Sequence, residues 1–250
     1  MRKSVGLGLC QLALVLLPAL RADTITVTPS VSLNGTEGTT LSSVLLGIFT
    51  SSNNSLTPGD FTALVNWGDG TSVSAALIAL DPVFGFDING THTYAQAGTY
   101  SLALSVSSDD GGLDDGSTGI FTIADAALTG FGLNFTTLVG IPYSGSVGTF
   151  QDANASATPT DFSATINWGD FTTSAGTVLS LGAGSFGING SHTYSMWGTY
   201  TATVNVQDFG GSTATFNDSV LVTPEAPGWM PAGAGLLMIA LRRRLSARRA

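Results

Sequence analysis

One segment of the sequence, which indicates the fold class, occurs twice in the chain. The first copy reads Thr57-Pro58-Gly59-Asp60-Phe61-Thr62-Ala63-Leu64-Val65-Asn66-Trp67-Gly68-Asp69, and the second reads Thr158-Pro159-Thr160-Asp161-Phe162-Ser163-Ala164-Thr165-Ile166-Asn167-Trp168-Gly169-Asp170. In both copies, alternate residues from the phenylalanine to the tryptophan are apolar, which is the pattern of a strand with one buried face. We therefore expect Trp67 and Trp168 to be buried at equivalent positions.

Two further motifs repeat downstream at nearly the same spacing. Ile88–Tyr94 matches Ile188–Tyr194, and Gly98–Tyr100 matches Gly198–Tyr200. A period of about 100 residues indicates a tandem domain, because solenoid repeats are only 20–50 residues long.

We place the two domains at residues 24–125 and 126–223. Period-two alternation and frequent turn residues predict an all-β chain of two tandem immunoglobulin-like β-sandwiches. Asn89-Gly90 and Asn189-Gly190 are predicted to form tight turns, because this dipeptide favours two-residue hairpin loops.

The charges of the chain are strongly segregated. It has 250 residues and a formal net charge of −9, yet no Lys or Arg lies between Ala22 and Leu241. The part of the chain between these two residues has no Lys or Arg side chain to neutralise phosphates, so nucleic-acid binding is excluded. It also lacks a lysine nucleophile and an arginine clamp for phosphoryl transfer.

Residues 1–22 are typical of a secretory signal peptide. Arg2 and Lys3 precede an apolar stretch from Val5 to Leu20, and Ala22 offers a small residue for cleavage. A retained membrane anchor is the alternative. Cleavage would remove Cys10, the single cysteine, so the mature chain could form no disulfide.

The C-terminus, residues 224–250, has the composition of a second targeting signal. Pro224, Glu225 and Pro227 precede an apolar segment at 228–241, which is predicted to be a short transmembrane helix. An arginine cluster follows, and such clusters mark the cytoplasmic side; it contains Arg242, Arg243, Arg244, Arg248 and Arg249. An ordinary tail anchor is the alternative.

This tail resembles the PEP-CTERM sorting signal of Gram-negative bacteria that secrete exopolysaccharide. Pro224 and Glu225 fit the motif, whereas Ala226 stands where the second proline is expected and Pro227 comes one position late. The resemblance implies an exosortase-type processing enzyme as partner and a transient stay in the inner membrane.

The repeated motifs resemble the PKD (polycystic kidney disease) domain, an immunoglobulin-like sandwich common in bacterial surface proteins. Trp67-Gly68-Asp69-Gly70 keeps its pattern, whereas Phe171 replaces the last glycine in the second copy. The resemblance covers about 200 of the 250 residues. Its structural-motif positions are Trp67, Asp69, His92, Tyr94, Trp168, Asp170, His192 and Tyr194.

The two histidines are the obvious catalytic candidates. His92 and His192 stand singly at the same place in each copy, so we expect them to pack and hydrogen-bond and to leave zinc unbound. Asp69 and Asp170 are expected to cap their own turns. The sequence shows no nucleophile elbow and no close carboxylate pair, and we expect no catalytic residue.

Calcium is the remaining chemical option. The loop from Ser108 to Gly116 carries four carboxylates, and hard cations take clusters of oxygen ligands; the four are Asp109, Asp110, Asp114 and Asp115. The alternative is a solvated turn that needs no metal, and no other cofactor is expected.

These observations predict a non-catalytic exported protein with a structural or adhesive role in the envelope or the exopolysaccharide matrix. The alternative is an accessory module that binds carbohydrate or protein, for which exposed aromatic residues would be needed. The candidates are Phe84, Phe86, Phe186 and Trp197, although such residues also pack in cores. An enzyme is the third and weakest hypothesis.

Overall fold

The computed structural model describes residues 23–30 and 32–225, leaving aside the side chains of residues 114–117. Two single-turn 3-10 helices, Pro58–Asp60 and Pro159–Asp161, are the helical elements of this part. The strands of its first half are β1 Ile25–Pro29, β2 Leu33–Thr36, β3 Thr40–Ser51, β4 Phe61–Asn66, β5 Ser74–Asp81, β6 Gly85–Thr93, β7 Gly98–Ser108 and β8 Leu113–Ala124. Those of the second half are β9 Leu128–Gly132, β10 Phe135–Leu138, β11 Tyr143–Asp152, β12 Phe162–Asn167, β13 Thr173–Gly182, β14 Ser185–His192, β15 Gly198–Asp208 and β16 Thr213–Thr223.

The strands form two eight-stranded sheets with the same connectivity. The first has the order β1-β3-β6-β5-β4-β7-β8-β2, and the second has β9-β11-β14-β13-β12-β15-β16-β10. In each sheet the short second strand pairs in parallel with the last one, as the Leu33–Phe121 and Phe135–Val220 registers show. The all-β prediction is confirmed, and the sequence repeat extends to the strand order.

The described residues group into two compact units. The first contains residues 23–30, 43–90 and 102–119, and the second contains residues 32–42, 91–101 and 120–225. The domain boundaries predicted from the repeat stay a prediction.

A β-sandwich is visible within the second unit. Strand β13 pairs with β12 through residues 173–176 and with β14 through residues 177–182, so it joins two layers that share one core. The buried core residues come from both layers: Val147, Phe150, Phe162, Ala164, Ile166, Trp168, Phe186, Ile188, Tyr194, Ala202, Val204, Val206, Phe216, Val220 and Val222.

The alternation read from the sequence is borne out by burial. Side chains along β4 and β12 are alternately buried and exposed, and Trp67 and Trp168 are 1% and 0% exposed. Three phenylalanines meet in each unit with ring centroids 4.7–5.0 Å apart. They are Phe49, Phe61 and Phe86 in the first unit, and Phe150, Phe162 and Phe186 in the second.

The two Asn-Gly turns were predicted wrongly. Gly90 lies inside β6 and Gly190 inside β14, and neither has a positive φ. A Cβ on Gly190 would stand 2.9 Å from Cη2 of Trp168, and one on Gly90 would stand 2.8 Å from Cη2 of Trp67. Each glycine therefore leaves room for a tryptophan ring to pack against its strand, and neither is a turn residue.

The turn after each Trp-Gly-Asp motif is left-handed in both copies. Gly70 has φ 83°, and Phe171 at the corresponding place has φ 69° although it carries a side chain. The Phe171 ring is fully exposed. The replacement of glycine thus keeps the backbone conformation, at the steric cost that a side chain has in this region.

The predicted leader at 1–22 lies outside the described residues, as does the tail beyond Glu225, including Pro227 and the arginine cluster. Within residues 23–225, no helix is long and apolar enough to span a membrane.

Candidate functional site

In the second unit the predicted motif residues form one hydrogen-bonded aromatic cluster. The indole Nε1 of Trp168 donates to Oγ of Ser174 at 3.0 Å, and the Tyr194 hydroxyl donates to the Trp168 carbonyl at 3.0 Å. The His192 ring lies flat on Trp168, with centroids 4.9 Å apart, and meets Tyr194 edge-on at 4.5 Å. Burial raises the pKa of Tyr194. These contacts fill the core and fix ring orientations.

Asp170 joins the turn to this cluster. Its Oδ1 accepts the Thr172 N–H at 3.1 Å, and its Oδ2 lies 2.7 Å from Nε2 of His192. Burial acts to raise the pKa of Asp170, but the hydrogen bonds from Thr172 and His192 outweigh it and hold that pKa below its usual value. The carboxylate therefore caps its own turn and orients the imidazole.

The Asp170–His192 pair is two-thirds of a nucleophilic triad, which also needs a hydroxyl or thiol within reach of the imidazole. Among the described residues, Asp170 is the hydrogen-bond partner seen for His192. The ring is 13% exposed and covered by Trp168 on one face. The arrangement can hold a histidine tautomer in place.

In the first copy, the corresponding motif residues make contacts like those of the second copy. Oδ1 of Asp69 accepts the Thr71 N–H at 3.1 Å and the Thr71 hydroxyl at 2.6 Å. The Trp67 Nε1 donates to Oγ of Ser74 at 2.9 Å. His92 meets Tyr94 edge-on at 4.7 Å, as His192 meets Tyr194.

The predicted calcium loop is partly visible. Asp109 and Asp110 lie in the turn between β7 and β8, and Asp114 and Asp115 lie in β8 with side chains outside the described set. The Asp110 carboxylate accepts the Ser108 hydroxyl at 2.6 Å and the Asn53 amide at 3.1 Å, and these bonds lower its pKa. Protein donors thus bond to both oxygens of this carboxylate, and the calcium site in this loop stays a prediction.

A different carboxylate cluster, which the sequence did not single out, lies in the second unit. One oxygen each of Glu37, Asp125 and Asp208 lie within 4.8 Å of one another. Glu37 and Asp208 are each 2% exposed, and Asp125 is half-buried. We call this group, together with the neighbouring Asp152 at 6% exposure, the acidic cluster.

Backbone donors satisfy only part of the acidic cluster. Glu37 accepts the Ala97 N–H at 2.6 Å, and the other three carboxylates accept N–H groups of Ser212, Gly210 and Asn154. Oδ1 of Asp125 and Oδ2 of Asp152 are buried and have no hydrogen-bond partner.

The electrostatics of the acidic cluster are unfavourable to four negative charges. Burial raises the pKa of Glu37 to about 7, and the charge of Asp125 adds to the effect. Burial also raises the pKa of Asp208 and of Asp152, and Asp125 repels both. Residues 23–225 contain no Lys or Arg to offset these charges.

The four aromatic candidates for a binding face divide into two pairs. Phe86 and Phe186 are buried, whereas Phe84 and Trp197 are 58% and 71% exposed. Phe84 lines an open groove of about 570 Å³ in the first unit. Exposed apolar groups and polar Asn53, Asn54 and Asp81 face this groove together.

The sequence matches no protein-family profile and no curated protein sequence. Among solved structures, the chain is similar to the titin domains Z1Z2 in complex with telethonin, at 15% identity over 82% of this chain and 98% of that one, with a TM-score of 0.35. It is also similar to the fibronectin(III)-like modules of Clostridium thermocellum CbhA, at 13% identity over 80% of this chain and 95% of that one (TM-score 0.29).

A PKD domain of an M14-like peptidase from a Thermoplasmatales archaeon is 21% identical over 38% of this chain and 89% of that domain, with a TM-score of 0.26.

Proposed function

We propose that this chain is a non-catalytic exported protein that serves a structural or adhesive role in the cell envelope or the exopolysaccharide matrix. One observation carries the proposal: the motif residues that are the obvious candidates for catalysis are packed in or against the core. Trp168 is fully buried, Tyr194 bonds to a backbone carbonyl, and His192 is fixed between Trp168 and Asp170.

The ends of the chain support export. The leader at 1–22 and the tail at 224–250 have the composition of a signal peptide and of a PEP-CTERM-like sorting signal, with an exosortase-type enzyme as the processing partner. Pro224 and Glu225 follow β16 as exposed, non-strand residues. An extended exposed strip next to a membrane-inserted segment is what a membrane peptidase needs.

Replacing Glu225 with alanine is expected to block maturation, because Glu225 is the one carboxylate of that strip. In a host with exosortase, the uncleaved precursor should stay in the membrane fraction, as judged by immunoblotting of cell fractions. Asp109→Ala, which removes an exposed carboxylate from the β7–β8 turn, is the control and should mature normally. Maturation of the Glu225 variant at the wild-type rate would show a plain C-terminal anchor instead.

The role itself is tested by deletion and complementation in the producing organism. Loss of the gene should reduce matrix retention or cell adhesion, and the wild-type chain should restore it. A His92→Gln, His192→Gln double variant should restore it equally when present on the surface in equal amount. If that variant reaches the surface but restores nothing, the histidines act in chemistry or binding and the structural proposal is wrong.

The groove lined by Phe84 favours a second candidate function, an accessory module that binds carbohydrate or surface protein. An exposed aromatic ring beside amide groups is suited to stacking and hydrogen bonding with a sugar. If the groove binds purified exopolysaccharide, Phe84→Ser should weaken binding roughly tenfold, the effect of about 1.4 kcal/mol. Phe209→Ser, at a ring that is 74% exposed, should leave binding unchanged, and equal losses in both variants would dismiss the groove.

A further inference from the structure

The acidic cluster of Glu37, Asp125, Asp152 and Asp208 has no cation beside it within residues 23–225, and backbone donors satisfy only part of it. Buried charges are generally paired, hydrogen-bonded or bound to a metal, because leaving water is costly. Here two carboxylate oxygens, on Asp125 and Asp152, are buried without any partner. The charges of Asp208 and Asp125 repel the Asp152 carboxylate, so it lies near these two members of the cluster.

In the first copy of the repeat, residues with hydroxyl groups occupy the corresponding positions. Ser51 and Ser108 stand where the second copy has Asp152 and Asp208, as the matched β3/β11 and β7/β15 strand ends show. The Ser51 and Ser52 hydroxyls each donate to Asp23 at 2.7 Å. Although burial acts to raise the pKa of Asp23, these bonds and the Asn53 N–H hold it below its usual value.

At these positions the second copy therefore carries carboxylates, which accept hydrogen bonds, where the first copy carries hydroxyl groups, which can donate them. Where Ser51 donates to a carboxylate, Asp152 presents an oxygen with no donor. A group of buried carboxylates in which two oxygens lack donors is costly to bury and is a suitable set of ligands for a hard cation.

We propose that Glu37, Asp125 and Asp208 hold one Ca²⁺ ion, with Asp152 contributing negative charge and an unpartnered oxygen beside them. The chemistry of the ligands favours calcium, because Ca²⁺ takes six to eight oxygen ligands at about 2.3–2.6 Å in flexible geometry. All three ligand oxygens lie within 4.8 Å of one another, close enough for one ion to reach them. Mg²⁺ demands near-octahedral geometry and holds its waters more tightly, so it should bind more weakly.

Calcium at this site would tie distant parts of the second unit together. Glu37 follows β2, Asp125 follows β8, and Asp208 ends β15. The positive ion would offset the repulsion among the carboxylates, because each of them would be attracted to it.

The test is a calcium titration of the full-length chain after chelator treatment, by calorimetry and thermal unfolding. We expect one Ca²⁺ per chain. At a free calcium concentration 100-fold above Kd, the Tm should rise by about 5–10 °C, by mass action on the folded state. Mg²⁺ at the same concentration should produce a smaller rise.

Two variants locate the ion. Asp208→Ser, which installs the residue of the first copy, should abolish the calcium-dependent rise and leave the calcium-free Tm equal to or above that of wild type, since it removes a buried charge. Asp110→Asn, in the alternative loop of the first copy, should keep the full rise.

Three results would overturn the proposal. The first is no calcium binding by the wild-type chain at millimolar concentration, which would mean that protons alone relieve the cluster. The second is a full calcium-dependent rise in Asp208→Ser. The third is loss of the rise in Asp110→Asn with retention in Asp208→Ser, which would place the ion in the Asp109–Asp115 loop.

Discussion

Replacing Trp168 with alanine is expected to lower the free energy of unfolding by about 3–5 kcal/mol, the range for deleting a large aromatic side chain from a core. The indole is fully buried within the second-unit core and donates its Nε1 proton to Ser174. Its removal leaves a cavity beside His192, deprives Ser174 of its indole donor and removes the surface on which the imidazole lies.

Denaturant unfolding followed by circular dichroism measures this loss. Trp197→Ala is the matched control, because that indole is 71% exposed, and it should change stability by no more than about 0.5 kcal/mol. Trp67→Ala should cost as much as Trp168→Ala if the two copies use the tryptophan alike. A cost below about 1 kcal/mol for Trp168→Ala would show that the ring is not part of a packed core.

Adding one methyl group at Gly190 is expected to be nearly as harmful, with a loss of about 1–3 kcal/mol from overpacking. The new Cβ would stand 2.5 Å from Cδ1 of Ile166 and 2.9–3.0 Å from the Trp168 ring. Both neighbours are fully buried, so neither can move without displacing the core. Gly90→Ala should behave alike, because its Cβ would meet Leu46 and Trp67 at 2.6–3.0 Å.

Gly59→Ala is the control for both glycine variants. Gly59 is exposed, its φ is not positive, and its nearest neighbour would be 4.0 Å from a new Cβ. We expect its unfolding free energy to stay within about 0.5 kcal/mol of wild type. Equal effects at Gly59 and Gly90 would mean that backbone entropy, rather than contact with the tryptophan, determines the cost.

The all-β class and the buried face of each copy could be read from the sequence, because strand burial has a local signature. Phe162, Ala164 and Ile166 are separated by polar residues, and this alternation alone assigns them to the interior. The duplication strengthened the inference, since a pattern that occurs twice at a fixed offset is not accidental.

The Asn-Gly prediction failed because a dipeptide preference reports local backbone tendencies and nothing about neighbours across the core. Gly190 is needed where Trp168 presses on β14, and the two are distant in sequence. The signal that could have found this is the repeat itself, because each copy pairs one tryptophan with one such glycine.

The acidic cluster was missed for a related reason. Glu37, Asp125 and Asp208 are far apart in the chain, and each is an unremarkable residue in its own segment. Comparison of the two copies held a clue, since Ser51 and Ser108 become Asp152 and Asp208. The absence of any cation from a body with sixteen acids was a second clue, but it could not say which acids meet.

Mass spectrometry of the protein recovered from the producing organism, fraction by fraction, tests the proposed export and processing. If both ends are removed, the chain in the surface or matrix fraction should begin near Asp23 and end before the apolar segment at 228–241. Such a product would contain the whole described β-sheet body with both targeting signals removed. An intact chain of 250 residues in the cytosolic fraction would contradict the proposal that this is an exported surface module.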